Sequence, residues 1–227
     1  ITGIKTDYTG EIYATGQFND TIAFDSIELI SQGQNDAMLL KLSSNGLLKW
    51  ARAGMGTKQG YANGLCLTDY GDIIVTGTFC GTIDFEGKSL TSTTIDYVDI
   101  FLVKYDFEGN VYWAVKAGGN NYDQGIAVCV DQQNNIYVTG FFNLTATFDG
   151  INVPSKGSND IFIAQYKPDG RIYRVRSVGD INYDIGCHTC NPQGEVFTVD
   201  ERELKVLHFR YITYKHYIKR NKMYAKR

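Results

Sequence analysis

Short runs rich in β-branched and aromatic residues recur along the chain and are bounded by turn residues, which predicts strands. Glu11–Gln17 (EIYATGQ), Asp72–Thr78 (DIIVTGT) and Asn135–Phe141 (NIYVTGF) form one set, with glycines Gly16, Gly77 and Gly140 spaced 61 and 63 apart. Asp36–Leu42 (DAMLLKL), Asp99–Tyr105 (DIFLVKY) and Asp160–Tyr166 (DIFIAQY) form a second set, spaced 63 and 61. Phe24, Phe85 and Phe148, each beside an acidic residue, keep the same register, as do the turns Asn45-Gly46, Glu108-Gly109 and Asp169-Gly170. Four markers in one register establish an internal repeat of about sixty residues.

One unit resolves further. In the third, Ile126–Asp131 and Ile136–Phe142 predict two strands across a polar turn at 132–134. Thr145–Val153 predicts a shorter hairpin around Asp149-Gly150. Ile161–Lys167 and Ile172–Val178 flank Pro168-Asp169-Gly170, where Pro presets φ and Gly accepts a positive φ. No 3.6-residue period in residues 1–203 is long enough to predict a helix. Each unit has too few apolar residues to close a private core, so its sheet must pack on its neighbours. The expected fold is all-β: a partial β-propeller of about three and a half four-stranded antiparallel blades, each with a small extra hairpin. A β-solenoid and a string of separate small β-domains are the alternatives.

The ordered pattern D-I-F-L-V-K-Y-D-x-x-G-N-V-x-W-A, a Gly-rich loop, G-I-A-V-x-V-D, N-I-Y-V-T-G and F-D-G resembles the SBBP-type β-propeller repeat of bacteria. The likeness covers roughly residues 1–199. It implies a propeller fold in a secreted or cell-surface protein, Bacteroidetes-like, and supplies no catalytic residues. The expected units are about 1–61, 62–124 and 125–184, with a partial unit at 185–203 and a basic tail at 204–227. Gly3–Asp7 already matches an innermost strand, so the chain is expected to start within a repeat, as a fragment whose remaining blades belong to a longer parent chain.

The net charge of −3 is unevenly spread. Residues 204–227 hold eight basic residues and no acidic one, leaving a net of −11 on 1–203. An acidic body repels phosphate backbones, so no nucleic acid is expected as its partner. The tail, with Tyr211, Tyr214, Tyr217 and Tyr224 among its charges, reads first as an abrupt change of composition such as a shifted reading frame produces. A solvated extension and a nucleic-acid arm are its other readings. No apolar run approaches the roughly 20 residues of a membrane-spanning helix.

Chemistry is sparse. Cys66 and Cys129 occupy equivalent positions and read as small buried hydrophobes, whereas Cys80 is expected in an exposed loop. Cys187-His188-Thr189-Cys190 has C-x-x-C spacing, but residues three apart on a strand face opposite ways. Gly54-Met55-Gly56-Thr57-Lys58 lacks the order of a phosphate loop and reads as a linker between blades. Asp36, Asp99 and Asp160 open equivalent strands. They could form oxygen ligands for calcium, but are read instead as turn caps. Trp50 and Trp113 read as core residues. His188, His208 and His216 are the chain's histidines, and no serine or cysteine lies in a nucleophile motif.

These readings lead to a non-enzymatic scaffold or binding module, secreted or on the cell surface, taking a protein or carbohydrate ligand and no cofactor or metal. The loops Asn121-Tyr122-Asp123 and Asn182-Tyr183-Asp184 are the expected binding residues. The alternative is a fragment of a propeller hydrolase or lyase with its site at the axial channel, whose acids would come from different blades and share no sequence spacing.

Overall fold

The structure, a computed structural model, describes residues 1–24 and 27–179. Among them every regular element is a strand. The first blade comprises β1 (Gly3–Thr6), β2 (Ile12–Phe18), β5 (Asp36–Leu42) and β6 (Leu48–Gly56), with a hairpin β3 (Thr21–Phe24) and β4 (Ile27–Ile30) inserted between β2 and β5. The second comprises β7 (Gln59–Leu67), β8 (Ile73–Cys80), β11 (Asp99–Tyr105) and β12 (Val111–Gly119), with the hairpin β9 (Thr82–Phe85) and β10 (Lys88–Thr91). The third comprises β13 (Gln124–Val130), β14 (Ile136–Phe148), β15 (Ile151–Tyr166) and β16 (Ile172–Val178). Strands within each blade pair antiparallel in chain order from inner to outer. The chain is thus an all-β, partial propeller.

In the third blade the extra hairpin is not separate. It is the far end of the long strands β14 and β15, where Thr145–Phe148 pairs with Ile151–Pro154. The sequence predicts an interruption near Asn143, and the structure places only a register shift there, between Asn143 and Thr145. Leu144 adopts a positive φ of 61°, so the strand bends without ending.

The second and third extra hairpins reach backwards, whereas β3 and β4 pair only with each other among the described residues. β9 pairs with β6 of the preceding blade (Met55 with Asp84, Gly56 with Ile83). The tip of β14 pairs with β12 (Ala117 with Phe148, Gly118 with Thr147, Gly119 with Ala146). A hydrogen-bonded ladder therefore joins one blade's outer edge to the next blade's hairpin, and these outer edges do not stay open.

Two apolar clusters lie between blades. One joins Tyr13, Ala37 and Leu39 of the first blade to Val75, Phe79, Phe85, Phe101 and Val103 of the second. The other joins Ile74, Ile100 and Leu102 of the second to Val138, Phe142, Phe148, Phe162 and Ala164 of the third. A strand buried on both faces serves two clusters at once, because alternate residues point to opposite sides. The second blade is two-sided: its face toward the first blade is aromatic-rich (Phe79, Phe85, Phe101) and its face toward the third is aliphatic (Ile74, Ile100, Leu102).

Candidate functional site

The loop from β12 to β13 carries the first set of expected binding residues. It is pinned from beneath by Asp123. The Asp123 N–H donates to the Val98 carbonyl at 2.9 Å. Its Oδ2 accepts from the Gly119 N–H at 2.6 Å and its Oδ1 from the Asn143 N–H at 3.2 Å. The side chain is fully buried. Burial pushes its carboxyl up to about 7, against the two backbone hydrogen bonds that pull it down, and nearby Asp99 adds to the rise. Asp123 therefore organises the loop rather than facing a ligand.

Asp99 opens β11 from the other side. Its Oδ2 accepts from the Thr93 N–H at 2.7 Å, the Thr93 hydroxyl at 2.8 Å and Lys116 Nζ at 3.2 Å. Its Oδ1 is buried with no hydrogen-bond partner. A Cβ placed on Gly118 would lie 2.6 Å from Asp99 Oδ1 and 3.1 Å from Asp123 Oδ2, so both carboxyls converge on this glycine. In the first blade the equivalent Asp36 Oδ1 accepts from the Gly56 N–H at 2.7 Å. In the second, the matching Gly119 N–H goes to Asp123 instead, which leaves Asp99 Oδ1 beside a carboxyl that favours its protonated form. Neither group has solvent contact through which to serve a substrate.

Above this anchor, Asn121 and Tyr122 project. The Tyr122 N–H donates to Asn121 Oδ1 at 2.9 Å. The Tyr122 ring is half exposed and stands edge-on to Tyr97, with centroids 5.0 Å apart and planes at 70°. An aromatic pair held by a buried anchor is a rigid contact surface with little entropy left to lose on binding. Tyr97 escaped the sequence reading because its loop, 92–98, matches no repeat marker. Asn182, Tyr183 and Asp184 lie outside the described residues, as do the C-x-x-C segment, the three histidines and the basic tail.

Of the expected linker Gly54–Lys58, Gly54-Met55-Gly56 is the end of β6 and only Thr57-Lys58 joins it to β7, with Thr57 N–H donating to the Thr82 carbonyl at 2.8 Å and Lys58 Nζ to the Ile95 carbonyl at 2.6 Å. Asp36 caps the turn before β5, its Oδ2 accepting from the Gln32 N–H at 2.7 Å, whereas Asp160 does not open a strand but lies within the long β15, where its Oδ2 accepts from the Lys156 N–H at 3.0 Å. Among the described residues no group of three or more His, Cys, Asp or Glu side chains gathers around one point. Trp50 and Trp113 pack against the two clusters between blades.

The cysteines depart from expectation. Cys80 closes β8, buried, with its thiol on the Ile95 carbonyl at 2.9 Å. Cys66 is buried but Cys129 is exposed, although their positions are equivalent. Cys66 points into the cluster shared with the third blade. Cys129 faces the side on which no further described blade stands.

No family model matches the chain. It is 30% identical over 156 residues to an uncharacterised WD repeat-containing protein of Acanthamoeba polyphaga mimivirus, an alignment spanning 62% of the chain and 11% of that protein. It is 26% identical over 142 residues to the regulatory protein FlaEY of Caulobacter vibrioides, spanning 61% of the chain and 15% of that protein. The chain therefore matches only a small part of either relative's length. Similarity to a WD repeat protein agrees with the propeller-type repeats seen in the fold.

Proposed function

We propose that this chain is a non-enzymatic propeller segment whose loop face, centred on Tyr97 and Tyr122, binds a protein or carbohydrate ligand at the surface of, or outside, a bacterial cell. The observation that carries this reading is the exposed Tyr122 packed edge-on to the partly buried Tyr97 and mounted on the buried Asp123 anchor. Tyrosines held in this way suit both flat protein surfaces and sugar rings, since each offers an apolar face and a hydroxyl. The resemblance to the SBBP repeat supports the extracellular setting. The relatives, a WD repeat protein and a regulatory protein, support a role in interaction rather than turnover. No helix among the described residues is long and apolar enough to cross a membrane.

The test is to screen the full chain against a peptide-display library and a glycan array, then repeat the screen with Tyr97→Ala and Tyr122→Ala. The reading expects ligands whose capture falls about tenfold or more in both variants while the melting temperature holds. Capture indifferent to both tyrosines, or cleavage of an arrayed glycan, would overturn it.

A further inference from the structure

A cation that closes the first interface between blades is missing from the second. Arg52 on β6 fills the gap between the second blade's hairpin tip and its β11–β12 turn. Its Nε meets Glu86 Oε1 at 2.9 Å and donates to the Gly109 carbonyl at 2.9 Å. Its Nη2 donates to the Glu108 carbonyl at 3.1 Å, and the guanidinium stands 5.2 Å over the Trp50 ring. One planar cation thus serves a carboxylate and two carbonyls at once, a task for a fork of N–H groups rather than for an ammonium.

Between the second and third blades the same acceptors recur without the cation. Arg52 pairs with Leu39 and Val115 with the equivalent Leu102, so Val115 stands where Arg52 does. Asp149 matches Glu86, each at a hairpin tip with a positive φ, 45° and 51°. Asp169 and Gly170 match Glu108 and Gly109. Among the described residues no hydrogen-bond or ion-pair partner reaches the Asp149 carboxylate or the carbonyls of Asp169 and Gly170. A cavity of about 450 Å³ opens there, lined by Val115, Asp149, Tyr166 and the turn 169–171. Trp113 covers Gly170 in place of an arginine, and its indole N–H is committed to the Pro168 carbonyl at 3.2 Å. The cations that border the cavity are turned elsewhere. Lys116 Nζ donates to Thr93 Oγ1 at 3.1 Å and Asp99 Oδ2 at 3.2 Å, and the Arg171 side chain, 80% exposed, stands 3.8 Å from Asp169 Oδ2. The buried phenols beneath the two sites register the same contrast. Burial pushes both up; Glu86 adds to the rise at Tyr105 and Arg52 opposes it, whereas Asp149 adds to the rise at Tyr166 with no cation against it.

We infer that this slot takes the guanidinium of an arginine side chain presented by a basic segment of a partner protein. The first interface supplies the template: an arginine carried on a polypeptide strand, its charge on the hairpin-tip carboxylate and its N–H groups on the turn carbonyls. Val115 leaves the floor of the slot short and apolar, so the side chain must come from outside. The net charge of −11 on residues 1–203 draws a basic segment toward it. The slot shares no residue with the Tyr97–Tyr122 loop, and the inference is independent of whether that loop binds a ligand.

The experiment titrates the isotope-labelled full chain with an end-blocked Gly-Gly-Arg-Gly-Gly peptide and its lysine counterpart, following the amides of Asp149, Gly150 and Gly170 by NMR. Saturable shifts are expected with the arginine peptide, and binding about tenfold or more weaker with the lysine one. Val115→Arg, which recreates Arg52, is expected to abolish the response while the melting temperature holds or rises. Asp149→Asn, a residue that accepts the positive φ there, is expected to weaken binding about tenfold and guards against a misfolded first variant. No response to the arginine peptide would overturn the inference. Equal responses to both peptides, or a response that survives both substitutions, would also overturn it, leaving only a general attraction to an acidic body. So would a response that appears only after Arg202, Arg210, Arg220 and Arg227 are replaced by glutamine, because the occupant is then the chain's own residues 202–227.

Discussion

The indole of Trp113 in the second blade lies over Gly170 in the third, so close that a Cβ there would sit 2.9 Å from the ring. Gly170 also holds φ at +86°, as does Gly46 in the first blade, where nothing occupies that space. The two glycines share a backbone demand and differ in what stands over them. Gly46→Ala is expected to cost about 1 kcal/mol, the strain of a left-handed alanine. Gly170→Ala is expected to cost roughly 2–4 kcal/mol, because the methyl also displaces the indole. Urea denaturation of both variants measures the difference. Equal losses would mean that the contact between blades contributes nothing.

Asp123 makes stability depend on pH in an uncommon direction. Its folded value of about 7 lies above its ordinary 3.8, so between those limits the folded chain keeps a proton that the unfolded chain has released. Stability from this group is therefore unaffected below about pH 4. It declines as pH rises through the window and levels off above 7. Asp123→Asn removes the titration; its amide oxygen can still accept from the Gly119 N–H, while its amide nitrogen replaces the oxygen that takes the Asn143 N–H. Relative to the wild type, the variant is expected to gain roughly 4 kcal/mol between pH 4 and 8. Asp7, Asp106 and Asp131 lean the other way: burial pushes each up, but hydrogen bonds at their turns outweigh it and hold them below the ordinary range. The comparison of variant with wild type is therefore the informative quantity. A constant difference across pH would contradict the buried carboxyl pair.

Thiol accessibility should separate the equivalent cysteines. Cys66 is enclosed by the third blade and burial pushes its thiol far up, so it is expected to resist alkylation in native buffer. Cys129 is exposed and is expected to label slowly but fully. Peptide mapping by mass spectrometry reads each site independently. Equal labelling would contradict the packing of β7 against the third blade.

Much of this fold is legible in the sequence, for a local reason. Strands such as Ile73–Cys80 and turns such as Pro168-Asp169-Gly170 are specified by adjacent residues, and repetition makes each confirm the others. What escapes is pairing across distance. Nothing near Ile83 indicates that it lies opposite Gly56 of another blade. Equivalent positions also diverge when their neighbours do, as Cys66 and Cys129 show. At the candidate site, Asn-Tyr-Asp reads as three exposed polar residues. Only two project, because the third turns under the loop to take the free N–H of Gly119.

The central claim is that the hairpins of the second and third blades each bind the outer strand of the blade before, which draws successive sheets face to face. Solution NMR tests it most directly through backbone contacts between Gly56 and Ile83 and between Gly119 and Ala146. The account predicts cross-strand NOEs at both pairs. Hairpins whose backbone contacts stay within their own repeat would contradict it.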